Sequence, residues 1–255
     1  MESDLSSVTG LSTDKIIRGA YMSAKRLGMP QNPACLDIGS GNGQLVLMLR
    51  KELNAETSAC DYADGLMRVP GQKVDVVDID REPLPYSDNT FDLITITEVI
   101  EHVRDFRKVF EEIFRCLKPG GGVVITTPNT INLSSRIRFL GFGFWTLFGP
   151  LHIKDSRKYS TGGHISPINW FYLVHGLLDA GFEYGATTVD KKQKSSAALL
   201  AVLAIPIWVY SKIATRREIR RYGTVDDKNL WMVKHMSSLD LLLGRTVIVS
   251  AKKPA

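Results

Sequence analysis

The stretch ACLDIGSGNGQLVLMLRKEL, residues 34–53, decides the fold of this chain. Its apolar start predicts a short buried strand, its glycine-rich middle predicts a turn, and its second half predicts a helix that begins near residues 42–44. In an open α/β sheet built from such units, a ligand binds at the carboxyl ends of the central strands. The glycine turn is therefore the first candidate for a binding site.

The chain repeats this pattern after the first predicted helix. The second strand ends at Asp61, and we expect a helix to begin directly after it. The amphipathic segment at residues 103–121 predicts another helix, which Pro119 and Gly120 end. Four further runs are almost continuously apolar, which predicts a parallel sheet covered by helices on both faces. These runs are ETSACD (56–61), KVDVVDID (73–80), FDLITIT (91–97) and GVVITTP (122–128).

Length, charge and cysteine content restrict the class of protein. With 255 residues and 44% hydrophobic side chains, the chain is long enough for one sizeable core. The net charge of +5 is too small to argue for a nucleic-acid partner. The three cysteines are far apart, which favours buried reduced thiols over a disulfide framework. The start MESDLSSVTG has no basic segment followed by an apolar one, so we expect no secretory signal and a cytoplasmic location.

The glycine turn disfavours one common ligand class. A nicotinamide cofactor favours the pattern GxGxxG, but here Gly39 and Gly41 are followed by Gln44. Asp37 would also repel a pyrophosphate. A ligand that carries an ammonium and a sulfonium group is more compatible with this carboxylate.

Acidic side chains follow three consecutive strands of the predicted sheet. After Asp37, Asp61 is placed to accept hydrogen bonds from two ribose hydroxyls, and Asp78 or Asp80 from an adenine amino group. Each acid alone would be interpreted as a helix cap or a solvated loop residue. Three of them at consecutive strand ends favour a nucleoside-binding site.

Four successive segments resemble the motifs of the class I S-adenosylmethionine-dependent methyltransferases, in the broad group of ubiquinone-biosynthesis and polysaccharide-modifying enzymes. They are LDIGSGNGQ, CDYADGLM, DVVDIDREPLPYSDNTFDLITITEVIEHV and EIFRCLKPGGGVVITTPN, and the resemblance covers residues 34–129. HISPINWFYLVHGLLDAGF, residues 164–182, resembles a later segment of the same group.

The resemblance implies an α/β fold with a Rossmann-like seven-stranded sheet, mostly parallel with an antiparallel last strand, and helices on both faces. It implies S-adenosyl-L-methionine as cofactor and S-adenosyl-L-homocysteine as product. The implied cofactor contacts come from Asp37, Gly39, Gly41, Asp61, Tyr62, Asp78, Ile79 and Thr97. We expect one methyltransferase domain over residues 1–255, with a helical cap at 1–30, an acceptor-side lid at 130–170 and an insertion at 191–244.

The expected reaction is methyl transfer to a substrate nucleophile. After the fourth strand the chain reads TEVIEH, not the Asn-Pro-Pro-aromatic signature of many amino-methylating enzymes, so we expect an oxygen acceptor. Candidates are a small molecule and a saccharide or lipid-linked acceptor, such as a glycan intermediate or a quinone precursor. Two alternatives stay open: a metal-dependent RNA 2′-O-methyltransferase, and a non-catalytic protein that binds S-adenosylmethionine. The oligomeric state does not follow from the sequence.

The stretch TEVIEH, residues 97–102, has two interpretations. If a helix begins near Glu98, then Glu98, Glu101 and His102 share one face and form a partial shell for Mg²⁺ or another divalent metal. This E-x-x-E-H pattern resembles the metal sites of ubiquinone-pathway O-methyltransferases and of small-RNA 2′-O-methyltransferases. The latter resemblance implies His164 as a fourth ligand. Without a metal, Glu101 and His102 are orienting groups at a helix start, with His102 as a candidate base.

An apolar run with basic flanks lies inside the predicted insertion. AALLAVLAIPIWVY, residues 197–210, is shorter than the roughly 20 residues that span a bilayer, and Pro206 interrupts it. It therefore predicts either a core or helical-hairpin segment or an interfacial helix. Lysines and arginines on both sides favour the interface, which predicts a peripheral position at the inner membrane face. The aromatic loop GFGFWTLFGP, residues 141–150, is a candidate substrate lid or second anchor.

Overall fold

The structure is a computed structural model that describes residues 13–153 and 163–255. Its strands are β1 (Ala34–Ile38), β2 (Glu56–Asp61), β3 (Asp75–Val76), β4 (Phe91–Thr97), β5 (Leu117–Pro128), β6 (Glu183–Val189) and β7 (Thr246–Lys252). They form a seven-stranded sheet in the order β3-β2-β1-β4-β5-β7-β6. The predicted α/β fold class is confirmed.

Strand direction follows from the backbone hydrogen bonds. The neighbours from β3 through β2, β1 and β4 to β5 pair in parallel. One bond joins Gly121 to Lys253 and another joins Asn129 to Arg245, so β7 runs antiparallel to β5. The predicted antiparallel last strand is therefore confirmed.

The central strands are buried because helices cover both faces of the sheet. The side chains of β1 and β4 are almost continuously apolar, as a parallel sheet with two covered faces requires. Burying each large aliphatic side chain contributes about 1.5–3 kcal/mol relative to leaving it exposed. The fully buried side chains of these two strands include Leu36, Ile38, Leu93, Ile94 and Ile96.

The helices are α1 (Asp14–Arg26), α2 (Gln44–Leu53), α3 (Phe106–Cys116), α4 (Leu133–Phe142), α5 (Trp170–Asp179), α6 (Lys194–Arg217), α7 (Leu230–His235) and α8 (Leu239–Leu243). α1 buries Ile17, Ala20 and Ala24 in a core cluster with Leu45 of α2, as its helical spacing predicts. α6 continues into a π-helical turn at Glu218–Tyr222.

The chain divides into two compact units. The first is formed by the described residues within Met1–Thr127, Val174–Thr188 and Ile248–Ala255, and the second by those within Pro128–Leu173 and Val189–Val247. The first unit contains β1 to β4 with α1, α2 and α3, and the second contains α4, α6, α7 and α8. The expected single domain with its cap, lid and insertion stays a prediction.

In two segments the local structure excludes an expected element or one of its alternatives. No helix follows Asp61: residues 62–72 form bends and turns, because Gly65 and the Pro70–Gly71 pair favour turns over helix. The apolar run at residues 197–210 is also not a hairpin. α6 continues through Pro206 as one helix of 24 residues, although proline removes a backbone donor.

Candidate functional site

The glycine turn after β1 adopts a backbone that larger residues disfavour. Gly39, Gly41 and Gly43 all have positive φ, at 69°, 49° and 83°. A Cβ atom on Gly39 would collide with the side chain of Val99, and one on Gly43 would lie 2.5 Å from Met67 Sδ. The backbone therefore stays open at the carboxyl end of β1, where a ligand can approach it closely.

Asp61 holds this turn in place from the end of β2. Its Oδ2 accepts a hydrogen bond from the Gly41 N–H at 2.8 Å, and its Oδ1 accepts one from the Tyr62 N–H at 2.7 Å. A carboxylate has about four lone-pair sites, so Asp61 keeps acceptor capacity for ligand hydroxyls. Tyr62 beside it is 46% exposed.

Asp37 is a buried carboxyl with a perturbed pKa. Its Oδ1 accepts a hydrogen bond of 2.7 Å from Thr95 Oγ1 of the neighbouring strand. Burial raises the pKa of Asp37 to about 7, the Thr95 hydrogen bond opposes this increase, and the charge of Asp61 adds to it. A cationic ligand beside Asp37 would favour its ionised form.

The acids after β3 also bind backbone and side-chain groups. Asp78 Oδ2 lies 3.6 Å from Arg81 Nε, and Asp78 Oδ1 accepts from the Asp80 N–H at 3.2 Å. Asp80 Oδ1 accepts from the Arg104 N–H at 2.7 Å, so this carboxylate braces the loop after β4. Asp78 and the half-buried Ile79 stay the predicted contacts for adenine.

Two hydroxyl groups at these strand ends are available to a ligand. Ser40 Oγ and Thr97 Oγ1 are buried, and neither has a hydrogen-bond partner among the residues that the structure describes. An unsatisfied buried hydroxyl costs about 1–3 kcal/mol, which a polar ligand would offset. Together with Asp37, these groups fit a polar cationic molecule such as S-adenosylmethionine. Thr97 was predicted from the sequence, whereas Ser40 was missed although it lies between two turn glycines.

The helix predicted to begin near Glu98 is absent from that position. Glu98 has a φ of 54°, and its N–H donates to the carbonyl oxygen of Thr126 at 3.2 Å and to Thr126 Oγ1 at 3.0 Å. Only a 3₁₀ turn at Ile100–His102 follows, and α3 begins at Phe106, after the capping side chain of Asp105. Glu98 is held out of helical geometry by β5, which lies far along the chain.

Glu101 is the most deeply buried acid of this segment. Its side chain is inaccessible to solvent, and its Oε2 accepts a hydrogen bond of 3.1 Å from Thr127 Oγ1. Oε1 has no partner within residues 13–153 and 163–255. Burial raises the pKa of Glu101 well above its ordinary value, and the charge of Glu98 adds to the increase. A buried acid with one unsatisfied oxygen is a candidate for contact with a ligand.

The predicted metal ligands belong to different units. Glu98, Glu101 and His102 lie in the first unit, where Glu98 Oε1 accepts a hydrogen bond of 2.9 Å from Thr126 Oγ1. His164 lies in the second unit, with its ring centroid 5.3 Å from that of Phe148. The unsatisfied Glu101 oxygen is compatible with a cation, and the four-residue metal site stays a prediction.

The aromatic loop after α4 is held by polar contacts. Arg138 donates to the carbonyl oxygens of Phe144 and Trp145, and the Thr146 N–H donates to Ser135 Oγ at 3.0 Å. The Trp145 ring stacks on Phe139 with centroids 4.4 Å apart. The assigned roles of this loop, a substrate lid or a second anchor, stay predictions.

Comparison with known proteins agrees with this geometry. Residues 36–125 match the protein family described as "Methyltransferase domain". The chain is 32% identical over 146 residues to "Ubiquinone/menaquinone biosynthesis C-methyltransferase UbiE" of Idiomarina loihiensis, which covers 52% of this chain and 58% of that protein. It is 29% identical over 166 residues to "Demethylmenaquinone methyltransferase" of Staphylococcus aureus, which covers 61% and 68%. The chain thus spans less than two thirds of the first relative.

The solved structures agree on the fold. A S-adenosylmethionine-dependent methyltransferase from Archaeoglobus fulgidus superimposes with a TM-score of 0.56 at 17% identity, over 92% of this chain and 93% of that one. The family match begins at the strand that precedes the glycine turn and ends within β5, so it includes every strand that carries a predicted cofactor contact. Residues 36–125 are therefore similar to the methyltransferase domain family, and the sheet has the fold of the class I S-adenosylmethionine-dependent methyltransferases.

Proposed function

We propose that this protein transfers a methyl group from S-adenosylmethionine to a hydroxylated small molecule of the quinol type. The observation that supports it most is the joint placement of Asp37, Asp61 and the open glycine turn at neighbouring strand ends. The named functions of the relatives concern ubiquinone and menaquinone, which supports a quinol-like acceptor.

Asp37 acts at the cationic end of the cofactor. Its pKa of about 7 means that the free site is partly protonated at neutral pH. An ammonium or sulfonium group within a few ångströms favours the carboxylate, so binding releases a proton. Asp61 contributes differently, because its two hydrogen bonds to backbone N–H groups fix the turn while its remaining lone pairs accept from the ribose.

The acceptor must lose a proton during the reaction. S-adenosylmethionine supplies an electrophilic methyl group: the carbon–sulfur bond breaks, its electron pair stays on sulfur, and a new bond forms to the acceptor. The protein holds the two reactants in line and excludes water. His102 is the proposed base, and Glu101 beside it in sequence supplies a buried carboxyl that orients the acceptor.

A quinol anion is nucleophilic at oxygen and at the neighbouring ring carbon. The absence of an amino-methylating signature after β4 supports transfer to oxygen, and this is our primary proposal. The names of the relatives support transfer to carbon, which is the second candidate. Both reactions need the same deprotonated acceptor, so the same base serves either one.

A methyl-transfer assay tests the proposal. Radiolabelled S-adenosylmethionine is incubated with hydroquinones, catechols, saccharides and an RNA oligonucleotide, with and without a chelator. We expect label in the hydroquinone or catechol product, and NMR of that product separates oxygen from carbon methylation. Asp37→Ala should abolish transfer, while Asp64→Ala, which changes an exposed acid, should not.

Two results would contradict the proposal. Label that appears only in RNA would assign the protein to the RNA-modifying alternative. Thermal unfolding that S-adenosylhomocysteine does not shift would favour a site that binds no cofactor, since saturating ligand at 100 times Kd adds about 2.7 kcal/mol of stability. Loss of transfer in chelator would show that the predicted metal is required.

A further inference from the structure

One face of α6, which we call its inner stripe, packs against other helices of the second unit. Leu199, Leu200 and Ile207 pack against a buried cluster that contains Leu133 of α4 and Leu242 of α8. Polar contacts extend this attachment to both ends. Near the start, Ser195 Oγ lies 2.7 Å from Ser134 Oγ, and near the end, Ser211 Oγ lies 3.4 Å from Ser237 Oγ.

The opposite face of α6 is apolar and exposed. Val202 and Ile205 are each 76% exposed, Trp208 is 60% exposed, and Val209 is 42% exposed. Exposed side chains of this size, gathered on one helix of about 36 Å, exceed what a folded unit normally leaves in water. The face therefore marks an interaction surface.

The carboxyl-terminal end of the same helix is strongly cationic. Five basic residues lie within residues 212–221, and Glu218 is the only acid there. Lys212 Nζ lies 3.7 Å from the centre of the Trp208 ring, which joins the apolar and cationic parts of the surface. The basic residues are Lys212, Arg216, Arg217, Arg220 and Arg221.

We propose that this surface, the outer face of α6 with its cationic end, binds a bilayer that contains anionic lipids. The apolar side chains enter the boundary between headgroups and acyl chains, with Trp208 at headgroup level, where amphipathic aromatic rings are favoured. The basic residues lie against lipid phosphates, and each contributes to attraction at the surface. The inference does not depend on the proposed reaction.

The positive charge of this surface favours anionic lipids over a second copy of the chain as its partner. A second copy would bring its own five basic residues to a surface that is already cationic, whereas anionic headgroups complement it.

The packing of α6 on the second unit also indicates whether the helix crosses the membrane or lies in its interface. By length and composition, Lys194–Tyr222 could cross a bilayer. Its inner stripe, however, is packed on α4 and α8, so we infer that it lies in the plane of the interface.

Vesicle flotation tests this inference with the whole chain of 255 residues. We compare phosphatidylcholine vesicles with vesicles that also contain phosphatidylglycerol. The wild-type protein should float with the anionic vesicles and lose at least tenfold in partitioning when high salt screens the headgroups. Ile205→Ser with Trp208→Ser should reduce partitioning about tenfold or more, and Lys212, Arg216, Arg220 and Arg221→Gln should remove the preference for phosphatidylglycerol.

Matched variants control for loss of apolar area and of charge. Tyr172→Ser changes an exposed aromatic residue on α5, and Lys25, Arg26, Lys51 and Lys73→Gln remove four exposed cations from the first unit. Both should float as the wild type does, and far-UV circular dichroism verifies that every variant is folded.

Four results would overturn the inference. The wild-type protein could fail to float with anionic vesicles, or the outer-face variants could float as well as the controls. Bound protein that resists extraction by alkaline carbonate would show a helix that crosses the bilayer instead. Sedimentation that shows a dimer, broken by Ile205→Ser with Trp208→Ser, would assign the surface to a second copy.

Discussion

Replacing Asp37 by asparagine should stabilise the folded protein above neutral pH. Burial raises the pKa of Asp37 from 3.8 to about 7. The folded state therefore holds this proton more tightly than the unfolded state does. The protonated Asp37 contributes fully to the stability of the folded state below pH 3.8. This contribution is lost as pH rises toward 7 and is absent above pH 7. At about 1.36 kcal/mol for each pH unit of that interval, the ionised carboxylate costs about 4 kcal/mol.

Urea unfolding between pH 5 and pH 8.5 measures this cost. The free energy of unfolding of Asp37→Asn, minus that of the wild type, should increase by roughly 2.7 kcal/mol from pH 5 to pH 7 and then stay constant. Asparagine keeps the acceptor oxygen that Thr95 Oγ1 donates to, so the substitution leaves packing intact. Asp64→Asn, an exposed acid in the same unit, controls for the change of net charge. A difference that does not vary with pH would refute the assignment of a perturbed carboxyl.

The same carboxyl should make cofactor binding depend on pH. The cationic ligand favours the ionised form of Asp37. As pH rises toward 7, the Kd for S-adenosylmethionine should therefore fall by up to tenfold per pH unit, and it should stay constant above pH 7. Calorimetry in two buffers of different ionisation enthalpy measures the released proton. Asp37→Asn should bind more weakly and without this dependence, so the variant trades affinity for stability.

Three further substitutions separate structural from catalytic roles. Glu101→Gln should change the free energy of unfolding by less than about 1 kcal/mol, because burial raises the pKa of Glu101 and disfavours its charge, but should lower kcat at least tenfold. Equal loss of stability in Glu101→Gln and Glu101→Ala would contradict this. Gly39→Ala should cost about 2 kcal/mol or more in urea unfolding, while Gly28→Ala, with a similar φ and open space around it, should cost less. His102→Asn should lower kcat by about 10²–10⁴ without a change in the KM for S-adenosylmethionine; unchanged kcat would exclude the base.

Most of the fold could be predicted from local sequence patterns. The strand, glycine turn and helix at residues 34–53 are correct because their determinants lie within the segment itself: an apolar run, glycines with positive φ, and a helix that starts at Gln44. The parallel pairing at the centre of the sheet was predictable because the central strands β1 and β4 are mostly apolar and buried. The helix expected after Asp61 does not form, because Gly65 and the Pro70–Gly71 pair favour turns and the helical spacing of this segment is weak.

The features that could not be predicted, the backbone at Glu98 and the continuity of α6, involve contacts between residues distant in sequence. Glu98 leaves helical geometry because its N–H bonds to Thr126, and no pattern within TEVIEH shows that pairing. The continuity of α6 through Pro206 depends on the inner stripe, whose partners lie on α4 and α8. Secondary-structure propensity describes the segment alone, so it cannot include either contact.

Hydrogen bonding separates acids that stabilise the fold from acids that serve a ligand. Asp190 is a buried acid of the second unit whose Oδ2 accepts from Arg245 Nε at 2.9 Å and whose Oδ1 accepts from the Thr246 N–H at 2.9 Å. That carboxylate has a cation and a backbone donor, so it needs nothing further. Glu101 has one hydroxyl donor and an unsatisfied oxygen among the described residues, and Asp37 has one hydroxyl donor and a pKa near neutrality. Since both acids reduce stability when they ionise, asparagine or glutamine would serve a purely structural role better. Their presence at the carboxyl ends of β1 and β4 is therefore best explained by the molecules that bind there.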